Sequence, residues 1–374
     1  MTARRKLRLA LVGGGPGSFI GPVHLMAAGL DGEYELVAGT FSRDSVRSRE
    51  AGESYGLTAE HIYGDYREML RREASNLDVV CIATPNDTHH PIAKAALAAG
   101  LHVMSDKPAT LDLAEALDLR HAIAASGRQY GLTYTYAGYP MVRDARRLVA
   151  DHRLGTVRKI VVEYPQGWLA QPASNRQADW RTDPARSGAG GCIGDIGIHA
   201  FHLAEFVTEA KVDALCADLA SVVPGRLLDD DCDVLLRFAG GARGVLVASQ
   251  ISTGARNGLR LQVYGTLGGL EWQQENPNLL VLKFPDAPDE VRHAGSAYLG
   301  AEAKAATRLP AGHPEGYIEA FANLYRDFAA QIRDQPAPDA RIPGIEDGIR
   351  GMAFIEAAVR SSAQAAWCDF RNDL

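Results

Sequence analysis

Over the first third of the chain, short apolar runs alternate with stretches of helical periodicity. Leu7–Val12 is a strand-like run that ends in glycines. Glu35–Thr40, Asp78–Ala83, Leu101–Met104 and Gln129–Thr133 are further runs of this kind. Asp78–Ala83 lacks the alternation of a half-exposed strand, as a strand buried on both faces should. Between these runs, Gly21–Ala28, 45–55, His90–Ala99 and Leu113–Ala125 read as helices, the last two stopped by Gly100 and Gly127. Regular alternation of strand and helix calls for a doubly wound parallel sheet, a Rossmann-type α/β fold.

The pattern then changes. Strands follow strands at 157–164, 212–223, 231–238, 243–251, 259–264 and 279–284, with turn signals such as Ala239-Gly240-Gly241 and Gly268-Gly269 between them. Helices interrupt near 195–207 and return at 315–333 and 346–366. This reads as an α+β domain with one large open, mostly antiparallel sheet. The segment 286–312 has the weakest pattern and is expected to be a mobile loop. The expected organisation is a Rossmann domain over 1–137 and an α+β domain over 138–374. The second binds substrate and makes oligomer contacts, and its C-terminal helix is free to pack back on the first.

Composition narrows the function classes. The chain has 374 residues, 46% hydrophobic and 23% charged, enough for two ordinary cores. Its formal charge, 39 − 46 = −7, argues against nucleic-acid binding, which needs a concentrated basic face. Arg4-Arg5-Lys6 reads as a solvated end before the first strand. No apolar run approaches the roughly 20 residues of a membrane span, and no cleavage signal follows the first strand. Cys81, Cys192, Cys216, Cys232 and Cys368 are scattered without paired spacing, so reduced thiols and a cytoplasmic location are expected.

The first strand runs into Gly13-Gly14-Gly15-Pro16-Gly17-Ser18-Phe19-Ile20-Gly21. Gly13 and Gly15 match the first two glycines of a dinucleotide fingerprint, one for the tight turn and one for close approach to a pyrophosphate. Ser18 stands at the usual third position, and Gly21 takes over the packing role after an insertion. Phe19 and Ile20 complete the predicted loop contacts. The second strand leads into Ser42-Arg43-Asp44. Ser42 and Arg43 suit a 2′-phosphate, which an acid there would repel, so NADP is favoured and NAD remains open. Asp44 can reach the ribose or cap the next helix.

Later motifs are Ala83-Thr84-Pro85-Asn86, His89, Ser105-Asp106-Lys107-Pro108 and Gly190-Gly191-Cys192-Ile193-Gly194-Asp195-Ile196-Gly197-Ile198-His199. Together and in this order they resemble the glucose–fructose oxidoreductase / inositol dehydrogenase (Gfo/Idh/MocA) family over almost the whole chain. The resemblance implies a tightly held NAD(P), and interconversion of a secondary alcohol and ketone on a sugar, cyclitol or related polyol. It gives Lys107 the role of the active-site lysine. Asp195 and His199 become the catalytic aspartate and histidine. Thr84, Pro85, Asn86 and His89 line the cofactor beside the nicotinamide ribose and adenosine. Asp106 stands where the family has a glutamate, and His202 where many members have an aspartate.

The chemistry agrees with those roles. Alcohol oxidation needs a base for the hydroxyl proton and a donor for the developing alkoxide. His199 suits the base because an unperturbed histidine titrates near working pH, Lys107 carries charge, and Asp195 shares a helix face with His199 if the segment is helical. Tyr136, Gln166, Trp168, Trp180, Arg181, His202 and His313 are candidate substrate contacts, with Tyr139 beside them, since aromatic faces and multiple donors suit a polyhydroxylated ring. No metal site is expected: His199, His202 and Asp195 lack a further ligand cluster, and Asp229-Asp230-Asp231 reads as a solvated turn. A non-catalytic dinucleotide-binding regulator and a redox-assisted glycosidase are the alternatives. The open sheet has a face to cover, so a homodimer or homotetramer is expected.

Overall fold

The computed structural model describes residues 4–172, 175–336 and 341–369. The chain forms two compact units, Met1–Thr133 with Phe321–Ile349, and Tyr134–Ala320 with Arg350–Leu374.

The first unit contains β1 (Leu7–Gly13), α1 (Ile20–Leu30), β2 (Tyr34–Thr40), α2 (Ser45–Ser54), α3 (Tyr66–Glu73), β3 (Val79–Ala83), α4 (His89–Ala98), β4 (His102–Ser105), α5 (Leu113–Ser126) and β5 (Tyr130–Leu132). The strands pair in parallel in the order β2-β1-β3-β4-β5. Every residue of β3 is buried, which explains its unbroken apolar run. Asp44, Asp65 and Asp112 cap α2, α3 and α5, and Gly127 at φ 63° ends α5. Helix α3 is amphipathic, with a charged exposed face and Met69 and Leu70 as its buried apolar residues.

The second unit opens with α6 (Pro140–Ala150) and β6 (Val157–Pro165), then α7 (Arg176–Arg181) and α8 (Pro184–Ser187). A π-helical turn, Ile193–Gly197, runs directly into α9 (Ile198–Thr208). There follow β7 (Val212–Ala220), β8 (Asp231–Phe238), β9 (Arg243–Ser249), β10 (Arg260–Gly265), β11 (Gly269–Gln273), β12 (Leu279–Phe284), β13 (Ala287–His293) and α10 (Ala301–Ala305). The chain closes with α11 (Tyr317–Ile332), α12 (Ile345–Gln364) and β14 (Cys368–Asp369). The sheet order is β13-β12-β11-β10-β6-β9-β8-β7-β14, with β6 and β9 parallel and the other pairs antiparallel. Along β8, buried Val234, Leu236 and Phe238 alternate with exposed Asp233, Leu235 and Arg237, so one face is covered. Helix α9 is buried along its whole length and packs on β6, β9 and β10.

Three expectations change. The segment 286–312 is not a loop: it holds β13 and α10. β13 is polar because it is an exposed edge strand, held by backbone pairing with β12. Fully buried Asp144 anchors the stretch between β13 and α10, accepting from Arg292 Nε at 2.9 Å and from Gly300 N at 3.2 Å. Gly269 begins β11 rather than sitting in a turn. A single boundary near 137 gives the order of the elements but misses a return, because Phe321–Ile349 belongs to the first unit. There Tyr34 Oη donates to Tyr325 O at 2.8 Å, His24 Nδ1 lies 2.7 Å from Tyr325 Oη, and Leu132 N donates to Pro343 O at 2.8 Å.

Candidate active site

In the first unit the candidate residues sit on loops following β1, β2, β3 and β4. Gly13 has φ +99°, and a Cβ there would lie 2.3 Å from Ala83 O across the β1–β3 pair. A Cβ on Gly15 would lie 2.3 Å from Phe41 O, so the crowding neighbour is the end of β2. A Cβ on Gly21 would stand 2.2 Å from Gly14 Cα, so Gly21 does provide the close helix–loop packing. Tyr55 Oη donates to Gly14 O at 2.8 Å and ties the loop to the end of α2. At the start of α1, Phe19 makes no side-chain cap and the first turn carries no acid; Gly21 N donates to Ser18 Oγ at 3.2 Å. A glycine turn ending at an acid-free helix N-terminus suits a pyrophosphate.

Asp44 spends its carboxylate on the cap, accepting from Val46 N at 2.9 Å and Arg47 N at 3.1 Å. Ser42 Oγ accepts from Asp44 N at 3.2 Å, and Arg43 is exposed. After β3, Thr84 Oγ1 accepts from Thr88 Oγ1 at 2.8 Å, and Pro85 leads into a buried Asn86. His89 is fully enclosed, with Nδ1 2.7 Å from Pro108 O and Nε2 2.9 Å from Thr84 O. It therefore braces two loops from behind. After β4, Asp106 Oδ1 accepts from Lys107 N and from Thr133 Oγ1, each at 2.9 Å, and the Lys107–Pro108 bond is cis. Lys107 is half-buried.

In the second unit a separate cluster forms around the π turn and α9. Asp195 Oδ2 accepts from Gln250 Nε2 at 2.9 Å and from Arg181 Nε at 3.2 Å. The Arg181 guanidinium also stacks over Trp180, 4.3 Å from the ring centroid, and takes Gln177 Oε1 at 2.7 Å. His199 lies edge-on to Tyr136 (5.0 Å between centroids), Tyr134 (5.9 Å) and Tyr164 (6.4 Å). Tyr164 Oη donates to Asn257 Oδ1 at 2.7 Å, so the very short Tyr136–Tyr164 hydroxyl contact must have Tyr136 as donor. Gln166 Nε2 reaches the same Asn257 Oδ1 at 2.8 Å, and Trp168 Nε1 donates to Gln166 Oε1 at 3.0 Å. Burial pushes both the Tyr136 and Tyr164 hydroxyls up, so they act as donors and not as bases at working pH.

Most predicted substrate residues thus fall into one network: Tyr136, Gln166, Trp168, Trp180 and Arg181 join Asp195 and His199. His202 stacks flat on Tyr134, 4.0 Å between centroids and 4° between planes, and so reaches the cluster through that ring from the buried helix. One residue does not join. His313 sits on an exposed turn with Nδ1 3.1 Å from Pro310 O. The acidic run is also not solvated. Asp230 is buried and accepts from Val222 N, Val223 N and Arg226 Nη1, while Asp229 accepts from Gly191 N and Ile193 N. Gln250 and Asn257 carry no motif that marks them in the sequence, yet both join the network. Because β6 and β9 run parallel with Pro165 opposite Ser249, the residues just beyond them, Gln166 and Gln250, emerge at the same sheet end.

Residues 7–134 match the model of an oxidoreductase family with an NAD-binding Rossmann fold, and residues 142–271 match a GFO/IDH/MocA C-terminal domain. The Bacillus subtilis oxidoreductase YfiI is 34% identical over 98% of this chain and 98% of its own. An inositol dehydrogenase homolog from Azotobacter vinelandii, solved with NAD+, superposes with a TM-score of 0.95 at 36% identity, covering 99% of this chain and 98% of that one. The same homolog solved with NADH and myo-inositol gives 0.92 at 36% identity, with 98% of each chain covered.

Proposed function

The chain belongs to the Gfo/Idh/MocA family of oxidoreductases, and from that premise we propose that it interconverts a secondary alcohol and a ketone on a sugar, cyclitol or related polyol. The observation that carries this reading is the Asp195–His199 segment: a histidine walled by three tyrosines, one turn from a carboxylate held by Arg181 and Gln250.

A bound nicotinamide supplies the hydride acceptor or donor. His199 takes the hydroxyl proton during oxidation and returns it in the reverse direction. Asp195 hydrogen-bonds a substrate hydroxyl or orients the imidazole, and Arg181 and Gln250 aim it. Lys107 provides positive charge for the developing alkoxide. Gln166, Trp168 and Trp180 offer amide and indole groups to a polyhydroxylated ring. The A. vinelandii homolog was solved with myo-inositol, which makes a cyclitol the first substrate to try.

The cofactor binds at the glycine loop and the start of α1. Arg43, exposed beside Ser42 with Asp44 turned away as a cap, gives NADP the better electrostatic match. The homolog's NAD+ and NADH complexes favour NAD as the second reading.

The sheet's open face supports a homodimer or homotetramer. By register, Leu235, Val245, Val161, Gln262, Glu271, Val281 and Val291 form one row across seven strands, and Leu235 and Val291 are about half exposed. No helix among the described residues is long and apolar enough to cross a membrane, in keeping with the cytoplasmic location we propose.

The test is purified protein with NAD+ or NADP+ and a panel of myo-inositol, other cyclitols, hexoses and pentoses. Growth of reduced-nicotinamide absorbance with at least one polyol is expected. No redox change with any of them, together with cleavage of aryl glycosides, overturns the dehydrogenase reading.

A further inference from the structure

A helix normally satisfies its first free amides with a side chain at its own N-cap. The segment bearing Asp195 and His199 does not. Its N-cap, Cys192, makes no side-chain cap, and two glycines precede it. Its amides are met by a residue from the far side of β7. Gly191 N donates to Asp229 Oδ1 at 2.6 Å and Ile193 N to Asp229 Oδ2 at 2.7 Å, while Cys192 N donates to the Asp229 carbonyl at 2.8 Å. Three successive amides thus converge on one residue. Gly191 is required by the same contact, since a Cβ there would stand 2.2 Å from Asp229 O.

The next residue holds the other side of the site. Asp230 O accepts from Gln250 N at 2.9 Å, and Gln250 Nε2 is the amide that donates to Asp195 Oδ2. The turn that starts a π helix, and the strand end that supplies Asp195's partner, are therefore referenced to one dipeptide. π-Helical turns are rare and need such outside support. Burial pushes the Asp229 carboxyl up, and the amides of Ile193 and Gly191 pull it back, so the group is held by those bonds rather than by solvent.

We propose that Asp229 is a positioning residue for this site: its carboxylate fixes the start of the π turn, and with it the placement of Asp195 and His199 against Gln250. This rests on the catalytic roles proposed for Asp195 and His199. Asp229 touches no reacting group, and its substitution acts through the geometry of the turn. Displacement of a catalytic group by about 1 Å costs up to ~100-fold in rate.

The experiment compares Asp229→Asn and Gly191→Ala with the wild type in the full-length protein. Asn keeps one acceptor and the shape of the residue; Gly191→Ala attacks the same contact from the other side. Three readouts are taken: kcat with myo-inositol or the fastest polyol of the panel, the Kd of NADH by fluorescence, and amide hydrogen exchange. Both variants are expected to lose about 10- to 100-fold in kcat. NADH affinity should hold within about twofold, because the glycine loop lies in the other unit. Exchange should rise across 191–199 and not in α11. A kcat within about twofold of wild type, or unchanged exchange at Gly191 and Ile193, overturns the proposal. So does a loss of kcat matched by an equal loss of NADH binding, which marks general unfolding. If His199→Ala stays active, the assignment of the base fails; if it is dead while Asp229→Asn is fully active, only the positioning role fails. The exchange readout decides the matter even without a fast substrate.

Discussion

His24 offers the sharpest quantitative test of how the first unit is closed. It is fully buried on α1, with Nδ1 2.7 Å from Tyr325 Oη and its ring edge-on to Phe321 at 4.9 Å. Both partners lie on the segment that returns to this unit late in the chain. Burial lowers its pKa from 6.5 to about 4; Asp106 raises it slightly and His89 lowers it. The unfolded chain therefore binds the proton more readily between these two values, so stability is complete above the unfolded pKa and is lost as pH falls. At ~1.36 kcal/mol per unit, the loss is about 2 kcal/mol by pH 5 and about 3 kcal/mol by pH 4, and it levels off below that. His24→Gln can still bond Tyr325 but has no proton to take up. Urea unfolding of both proteins, followed by circular dichroism between about pH 7 and pH 5, isolates the term, because the other titrating groups are common to both. The wild type should lose about 2 kcal/mol more than the variant over that range. Parallel pH dependence, within about 0.5 kcal/mol, would refute the claim that a neutral histidine fastens the return segment.

Further outcomes are expected at the site. His199→Ala should abolish turnover while NADH still binds by fluorescence titration; retention of most activity removes the histidine from the mechanism. Arg43→Ala should weaken NADP binding by about 10-fold or more while barely changing NAD, and equal losses for both would end the phosphate argument. Gly21→Ala forces a Cβ to 2.2 Å from Gly14 Cα, so dinucleotide affinity should fall by at least about tenfold; calorimetry showing wild-type affinity would contradict the packing role. Light scattering should report a dimer or tetramer, and a monomer would leave the exposed Leu235 and Val291 on the open sheet unexplained.

The first unit was largely legible because its signals are local. Parallel strands buried on both faces appear as unbroken apolar runs, and Gly100 and Gly127 mark helix ends by their own chemistry. What escaped was short, polar or non-local. α3 hides two buried apolar residues among charges, and β13 is an edge strand whose order comes from its partner. The return of Phe321–Ile349 rests on contacts between residues far apart in sequence, among them the Tyr325 hydroxyl meeting His24 and Cys81 and Leu132 N donating to Pro343 O. His89 was expected among cofactor contacts, yet the structure encloses it completely and places both ring nitrogens on backbone carbonyls.

The second unit shows why site residues are harder to find than site motifs. Asp195 and His199 lie close in sequence and announce themselves. Their partners do not, because they are gathered by topology. One parallel pair in an otherwise antiparallel sheet brings the ends of β6 and β9 to the same edge, so Gln166 and Gln250 emerge together although more than eighty residues separate them. Antiparallel pairing of those two strands would put one at each end and take Gln250 away from Asp195. The acidic run is the same lesson in reverse: three successive aspartates read as a solvated turn, yet register places Asp231 opposite Ser249, and the two before it turn inward onto backbone amides. Charge in a sequence predicts exposure only when nothing buried needs an acceptor, and the start of a π turn supplies two such donors to the Asp229 carboxylate.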